Sequence, residues 1–406
     1  MPSKIAVAYS GGLDTSAMIP WLREHHDAEV VAIVADVGQG EEELDGVESK
    51  ALRSGAAHCE VVDLREEFVE EYLFPMLVSG AVYEGRYLLG TAIARPVIAK
   101  CQVEAARRLG CDAVAHGCTG KGNDQVRFES TYASLAPDLE VIAPWRHWEF
   151  RGREDLLAYL AKHGIASSAS ASKIYSRDGN LWHLSHEGGA LEDPWNAPPA
   201  DLWVRTVDPR NAPAEAVEVT IAFERGRPRA IDGAAVGGIA AIERLNRLGG
   251  GHGVGRVDLV ENRLVGMKSR GCYETPGGTI LMEAIAGLEE LVLDRRTLRW
   301  RREQSLAFAE LIYDGRWFTP LREVMQAAFE RIADRLEGEV RVRVHRGTAT
   351  TVGRRSPRSL YAEAFATFSA DEVYRQSDAG GFIRLFTLPS RIEALRDAAA
   401  TGERRR

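Results

Sequence analysis

The sequence predicts an α/β fold: a parallel sheet covered by helices over residues 1–168, an α+β part over residues 169–362, and a helical arm over residues 363–406. Three observations predict it. Short apolar runs alternate with helical spacing through the first third of the chain, as in βαβ units. The first of these runs enters a glycine turn and leaves it as a helix, the connection found at the carboxyl edge of such sheets. Near residues 165–172 (IASSASAS) the composition turns small and polar, which marks a boundary.

Residues 5–9 read as the first strand, and the stretch KIAVAYSGGLDTS carries it through Ser10, Gly11 and Gly12 into a helix beginning at Leu13 or Asp14. Pro20 falls about two turns into that helix, where it removes an N–H and crowds the preceding carbonyl, so a kink or early break is expected over residues 16–20. Residues 30–36 (VVAIVAD) form the second strand, followed by Gly38, Gln39, Gly40 and an acidic helix start at Glu41. Residues 58–64 are a third strand, 65–77 a helix, and 93–109 a long helix with apolar helical spacing. Residues 112–118 (DAVAHGC) form the fourth strand; 141–144 and a helix over 153–163 close the segment.

Beyond the boundary, residues 217–223 read as a strand and 234–248 as a mixed segment with a helix. Residues 249–255 (GGGHGVG) are a turn-rich structural loop, 256–266 a bent strand, and 279–293 an amphipathic helix. Residues 295–302 carry five arginines, expected on a solvated or subunit-facing helix surface. Residues 340–352 alternate as a hairpin about Gly347, and 388–406 form a helix fading into an arginine-rich end.

The 406 residues are 45% hydrophobic and 27% charged, the balance of an ordinary soluble globular protein. A net charge of −8 leaves no general basic field for nucleic acid. The five cysteines (Cys59, Cys101, Cys111, Cys118, Cys272) show no CxxC pair and no zinc spacing, and the histidines outside the motifs form no metal spacing, so no protein-held metal site is expected. An odd cysteine count without a signal peptide points to a reducing cytoplasm. No apolar run approaches the ~18 residues of a membrane span. These features together describe a soluble cytoplasmic enzyme.

In the glycine turn, adjacent glycines let the backbone approach a ligand, and the N–H groups of the turn and helix start converge on one spot that suits an anion. The hydroxyls of Ser10, Thr15 and Ser16 would add donors; a plain strand–turn–helix connection would look the same. A Gly-Lys-Ser/Thr ending is absent, and the glycine spacing is not that of a dinucleotide fingerprint. Asp14 beside a polyphosphate costs energy unless Mg²⁺ sits between them or it merely caps the helix; the metal-linked role is preferred.

The loop over residues 116–127 (HGCTGKGNDQVR) is a second chemical cluster. Ala115 stands where a Walker loop has its first glycine, and Gly122 where Ser or Thr would follow the lysine. Asn123, Asp124 and Arg127 supply an amide, a carboxylate and a guanidinium, the mixture that a zwitterionic amino acid needs; a surface turn with a local ion pair is the alternative. Residues 175–194 and 260–278 gather further hydroxyls and charges, as any charge-rich surface loop also would. No Ser–His–Asp or Cys–His context supports covalent enzyme chemistry.

These clusters together resemble one family. AYSGGLDTS resembles the SGGxDS pyrophosphate loop of the N-type ATP pyrophosphatases, with their adenine nucleotide alpha hydrolase-like domain. The strings GAVYEGRYLLGTAIARP, AHGCTGKGNDQVRFE, NLWHLSHEGGALEDPW, GVGRVDLVENRLVGMKSRGCYETPGG and SPRSLY, in order from Lys4 to Tyr361, resemble the argininosuccinate synthase family. The resemblance implies ATP-dependent joining of citrulline and aspartate through a citrullyl-adenylate, with release of AMP and diphosphate, in arginine biosynthesis. It makes residues 169–362 the synthetase domain.

By the same resemblance, Ala8, Tyr9, Ser10, Gly11, Gly12, Leu13, Asp14, Thr15, Ser16 and Ala35 would hold ATP, with Gly117 near the nucleotide. Thr119, Asn123 and Asp124 would bind aspartate. Tyr87, Asn123, Arg127, Ser176, Ser185, Glu261 and Tyr273 would hold citrulline. Asp14 and Asp124 are the candidate catalytic residues, Mg²⁺ would accompany ATP, and a homotetramer with a C-terminal helical arm is implied. One departure stands out: the family has Ser where Ala92 follows Thr91. A lost hydrogen bond of ~1 kcal/mol would weaken citrulline binding unless Thr91 or a water replaces it. Other adenylating C–N ligases of the superfamily, a non-catalytic nucleotide-binding module and an inactive relative are the alternatives. The first is disfavoured by the lack of a glutaminase-type region, and the others by the second domain and the intact SGGLDTS and GNDQVR strings.

Overall fold

The computed structural model describes residues 1–165, 175–366, 373 and 375–401. Most of the expected boundary at 165–172, and the arginine-rich end beyond residue 401, lie outside them. Period-two burial sets the first sheet. In β1 (Lys4–Ala8), Ile5 and Val7 enter one core cluster and Ala6 another; in β2 (Glu29–Asp36), Val30, Ala32 and Val34 join the first, Val31 and Ile33 the second. Both faces are covered, which is why these strands read as unbroken apolar runs. With β3 (His58–Asp63), β4 (Ala113–Ala115) and β5 (Glu140–Ile142) they form a parallel sheet of order β3-β2-β1-β4-β5. The order reverses between β1 and β4, and a crevice is expected beyond the carboxyl ends at that point. Gln102, on the helix Gly90–Leu109, donates to the carbonyls of Ala6 (2.8 Å) and Ala115 (3.0 Å) and so ties the helix across that junction.

The expected break at Pro20 does not occur: the helix runs from Leu13 to His26. Ala17, Met18, Ile19, Trp21 and Leu22 are all buried, and this packing outweighs the roughly 3 kcal/mol cost of an internal proline. The helical stretch expected over 65–77 extends to Ser79 but widens to a π-turn at Phe68–Leu73. That wider turn precedes Pro75, which has no N–H to return to the turn before it.

The later chain adds β6 (Ser176–Gly179), β7 (Leu184–Glu187), β8 (Val217–Glu224), β9 (Arg227–Ile231), β10 (Ala234–Ala235), β11 (Arg256–Asn262), β12 (Lys268–Glu274), β13 (Gly338–His345) and β14 (Thr348–Arg355). They make two antiparallel sheets, β11-β12-β7-β6 and β10-β9-β8-β13-β14. One apolar cluster runs from Ala6 of the parallel sheet to Val344 of β13, so the sheets share a core. Gly249 to Gly251 close the helix Gly238–Gly251 rather than forming a loop. The arginine-rich face is also not wholly solvated. Arg301 is buried, pairs with Glu289 on the preceding helix and donates to the Val78 carbonyl at 2.8 Å.

Met1–Arg358 form one compact unit and Ser359–Arg406 a second. In the second, the helices Gln376–Phe386 and Leu388–Thr401 leave Phe382, Leu385, Phe386, Ile392 and Leu395 more than half exposed. None of the described helices is long and apolar enough to cross a membrane.

Candidate active site

The turn after β1 is built as its glycines suggest. Gly11 has φ +72°, a left-handed conformation, and a Cβ there would lie 3.1 Å from Val47 Cγ2. Ser10 Oγ accepts from the Gly12 N–H (3.3 Å) and lies 3.3 Å from Thr15 Oγ1. Lys50 Nζ donates to the Gly11 carbonyl. Ser16 is fully buried, and its hydroxyl meets Tyr9 Oη at 3.2 Å. Asp14 accepts from Trp145 Nε1 at 3.1 Å, while burial pushes its carboxyl above the usual range.

A cavity of about 270 Å³ opens beside this turn. Of the residues expected at ATP, Ala8, Tyr9, Ser10, Thr15, Ala35 and Gly117 line it. Gly11, Gly12, Leu13, Asp14 and Ser16 belong to the same turn and helix start but are not part of its wall. Ile33, Val37, Ile98 and Phe128 add an apolar side suited to a base, which the sequence had not indicated.

A second cavity of about 330 Å³ gathers every residue expected at the amino acids: Tyr87, Thr119, Asn123, Asp124, Arg127, Ser176, Ser185, Glu261 and Tyr273. They come from the segment before the helix Gly90–Leu109 (Tyr87), from the loop and start of the helix Asp124–Leu135, and from β6, β7, β11 and β12. Tyr87 and Tyr273 stack with centroids 4.5 Å apart. Arg127 is fixed by the Tyr313 carbonyl (Nε, 2.8 Å) and Asp124 (Nη1, 2.8 Å).

Arg95, Cys118, Asp124 and Asp178 line both cavities, so the two chambers meet there. Arg95 Nη2 bridges Asp124 and Asp178, each at 2.9 Å. Burial alone would raise the Asp124 carboxyl, but Arg95 and Arg127 outweigh it and hold it at about 2. Arg95 was missed from sequence, while Asp178 was read only as one of the charges of the 175–194 loop. Arg95 sits one helical turn after Thr91, on the same face, and that spacing was the available signal. Thr91 Oγ1 lies 2.9 Å from Asp178 Oδ2 and 2.8 Å from His183 Nε2.

Ala92 is fully buried in the core, and Thr91 presents its hydroxyl to the chamber. Glu274 and His186 are wholly buried against each other at 2.8 Å. Their role is structural. Glu261 differs: its Oε2 is buried without a partner, and burial pushes the carboxyl up to about 7, with Arg127 opposing and Glu187 reinforcing the rise. Among the described residues no three His, Cys, Asp or Glu side chains are grouped to hold a metal ion. Asp14 offers one carboxylate, which fits an ion carried in by a polyphosphate rather than one held by protein alone.

Residues 4–166 match the N-terminal HUP domain of arginosuccinate synthase, and residues 175–393 match its C-terminal domain. The chain belongs to the argininosuccinate synthase family. The first match contains the glycine turn and Asp124; the second contains Ser176, Ser185, Glu261 and Tyr273. Family relatives include the argininosuccinate synthase of Vibrio cholerae, 62% identical over 97% of both chains. That of Pseudoalteromonas atlantica is 58% identical over 97% of this chain and 95% of its own, and that of Shewanella baltica 60% identical over the same shares. Among solved structures, the U34-tRNA thiolase NcsA of Methanococcus maripaludis covers 42% of this chain and 59% of its own, at 15% identity and a TM-score of 0.28, too slight a likeness to use. With the family goes the enzyme class, a ligase.

Proposed function

We propose that the protein joins L-citrulline to L-aspartate with cleavage of ATP to AMP and diphosphate, the argininosuccinate-forming step of arginine biosynthesis. The observation that carries this reading is the meeting of two chambers at Arg95, Asp124 and Asp178, one beside a glycine turn and the other lined by amino-acid-binding groups. The β,γ-diphosphate of ATP lies against the N–H groups of Ser10 to Leu13, with the base toward Ala35, Ile98 and Phe128. Citrulline lies between Tyr87, Asn123, Arg127, Ser176, Ser185 and Tyr273, with its ammonium at Glu261. Aspartate lies at Thr119, Asn123 and Asp124.

The ureido oxygen of citrulline attacks the α-phosphorus and diphosphate leaves; the amine of aspartate then displaces AMP from the ureido carbon. Such a sequence needs orientation and charge stabilisation, with no enzyme nucleophile. Asp14 would help hold a magnesium ion brought in on the nucleotide, which would supply charge neutralisation. Asp124, held ionised by its two arginines, orients the incoming amine. The exposed apolar face of the C-terminal helices supports a homotetramer in which this arm meets a neighbouring subunit, and five free thiols among the described residues support a cytoplasmic setting. The ATP-binding region is assigned to residues 1–168, the synthetase region to 169–362 and the arm to 363–406.

Diphosphate release from ATP tests the reading. Continuous release over many turnovers is expected to require both citrulline and aspartate, with ammonia and glutamine ineffective; release without citrulline would overturn it. A second expectation follows from Glu261. An ammonium ligand favours the carboxylate, so the citrulline KM rises as pH falls below 7, by about tenfold per pH unit. Glu261→Gln has a higher KM that stays level across that range. A level wild-type profile would remove Glu261 from the ammonium site.

A further inference from the structure

The hairpin between β11 and β12 ends in a tight turn at the mouth of the amino-acid chamber. Arg263 N–H donates to the Met267 carbonyl (2.8 Å) and Gly266 N–H to the Arg263 carbonyl (2.9 Å), so the tip is a fixed body. Three bonds tie this tip to the chamber. Arg263 Nη2 meets Glu187 Oε2 at 2.5 Å, and Arg263 Nη1 donates to the Lys121 carbonyl at 3.3 Å. The Leu264 N–H donates to Asn123 Oδ1 at 3.0 Å.

The last bond has a chemical consequence. An amide whose oxygen is engaged by the hairpin has its NH₂ left for the chamber, where it can donate to a carboxylate but cannot accept from an ammonium. Glu187 lies in the same chamber wall as Glu261 and Asp124. Its neutralising partner there is Arg263. Without that guanidinium the chamber gains a negative charge. Citrulline is a zwitterion of zero net charge, whereas aspartate carries a net negative one, so the added charge acts chiefly against aspartate.

We infer that Arg263 is a positioning residue for aspartate: it pins the hairpin tip to the Thr119–Asn123 loop, fixes the Asn123 amide with its NH₂ toward the substrate carboxylate, and cancels the charge of Glu187. The inference rests on the function proposed above. Arg263 touches no reacting atom; it acts through Asn123 and Glu187. A lysine at this position brings a single ammonium, which cannot reproduce the fork that spans Glu187 and the Lys121 carbonyl.

The test uses the full-length enzyme and the variants Arg263→Gln and Arg263→Lys. Two readouts are compared: the KM values for aspartate, citrulline and ATP, and the citrulline-dependent exchange of diphosphate into ATP without aspartate. Arg263→Gln is expected to raise the aspartate KM about tenfold or more, the range for a lost charged hydrogen bond, with exchange and the citrulline KM, for which Asn123 is one contact among several, changed about threefold or less. Arg263→Lys gives a smaller rise of the same selectivity. Parallel losses in exchange and in all three KM values would mark a merely structural role and overturn the inference, as would an unchanged aspartate KM. If Arg263→Gln does not fold, an unchanged aspartate KM in Arg263→Lys overturns it equally. Wild-type exchange that needs no citrulline would sink the proposed function itself; citrulline-dependent exchange with unselective variants sinks only this inference.

Discussion

Asp124→Asn is expected to lower turnover about a thousandfold, the scale seen when a preorganised charged contact and its alignment are both lost. Asp124 is the junction of the two chambers, and its carboxylate is shared by Arg95 and Arg127. The amide keeps the shape but loses the charge shared by two largely buried guanidiniums, and its NH₂ cannot accept from whichever of Arg95 and Arg127 it faces. Stability should fall as well. The folded carboxyl sits at about 2 against an ordinary value of 3.8. Because its side chain is 27% exposed, the corresponding stabilisation is discounted to about 2 kcal/mol. The sign follows from the depressed folded value: this stabilisation is present above pH 3.8 and lost as pH falls through about 2. Denaturant midpoints should therefore separate wild type from Asp124→Asn at pH 7 and converge in acid. Unaltered turnover in the variant would contradict the placement of Asp124 at the reacting groups.

Glu274→Ala should have the largest effect on stability, about 3–5 kcal/mol, the cost of removing one partner from a buried charged network. Glu274 is wholly buried at the end of β12 and accepts from the backbone N–H groups of Val204, Arg205 and Thr206, from Thr206 Oγ1 and from His186 Nε2, all between 2.6 and 3.0 Å. Burial alone would raise its carboxyl, yet these donors outweigh it and hold it below the ordinary range. Alanine strands all of them at once. Thermal unfolding measures the loss, and the substrate chamber should suffer with it, since Tyr273 is the neighbouring residue and lines the cavity. A variant as stable as wild type would show that water replaces the carboxylate without cost.

Local patterns made the nucleotide side of the molecule legible. The alternation of Ile5, Ala6 and Val7, the paired glycines and the helix start fix strand, turn and helix within a few residues of one another, so spacing alone carries the reading. In the amino-acid chamber the mixture at Asn123, Asp124 and Arg127 was legible locally, but its partners Tyr87, Ser185 and Tyr273 were legible only through motif resemblance, because they converge from distant parts of the chain. What stayed hidden are pairings of that same long-range kind. Arg95 reads as one more helical arginine until the fold brings Asp178 to it. Arg301 reads as one of five surface arginines until Glu289, on another helix, shows which one faces inward. Pro20 misled for a different reason: its local cost is real, but burial of the flanking residues exceeds it.

The most direct measurement follows the ureido oxygen of citrulline. With oxygen-18 at that position, attack on the α-phosphorus and later displacement by the aspartate amine must leave the label in AMP. Labelled AMP from a complete reaction mixture is the predicted result. Unlabelled AMP, with the label retained elsewhere, would contradict formation of a citrullyl-adenylate where the two chambers meet.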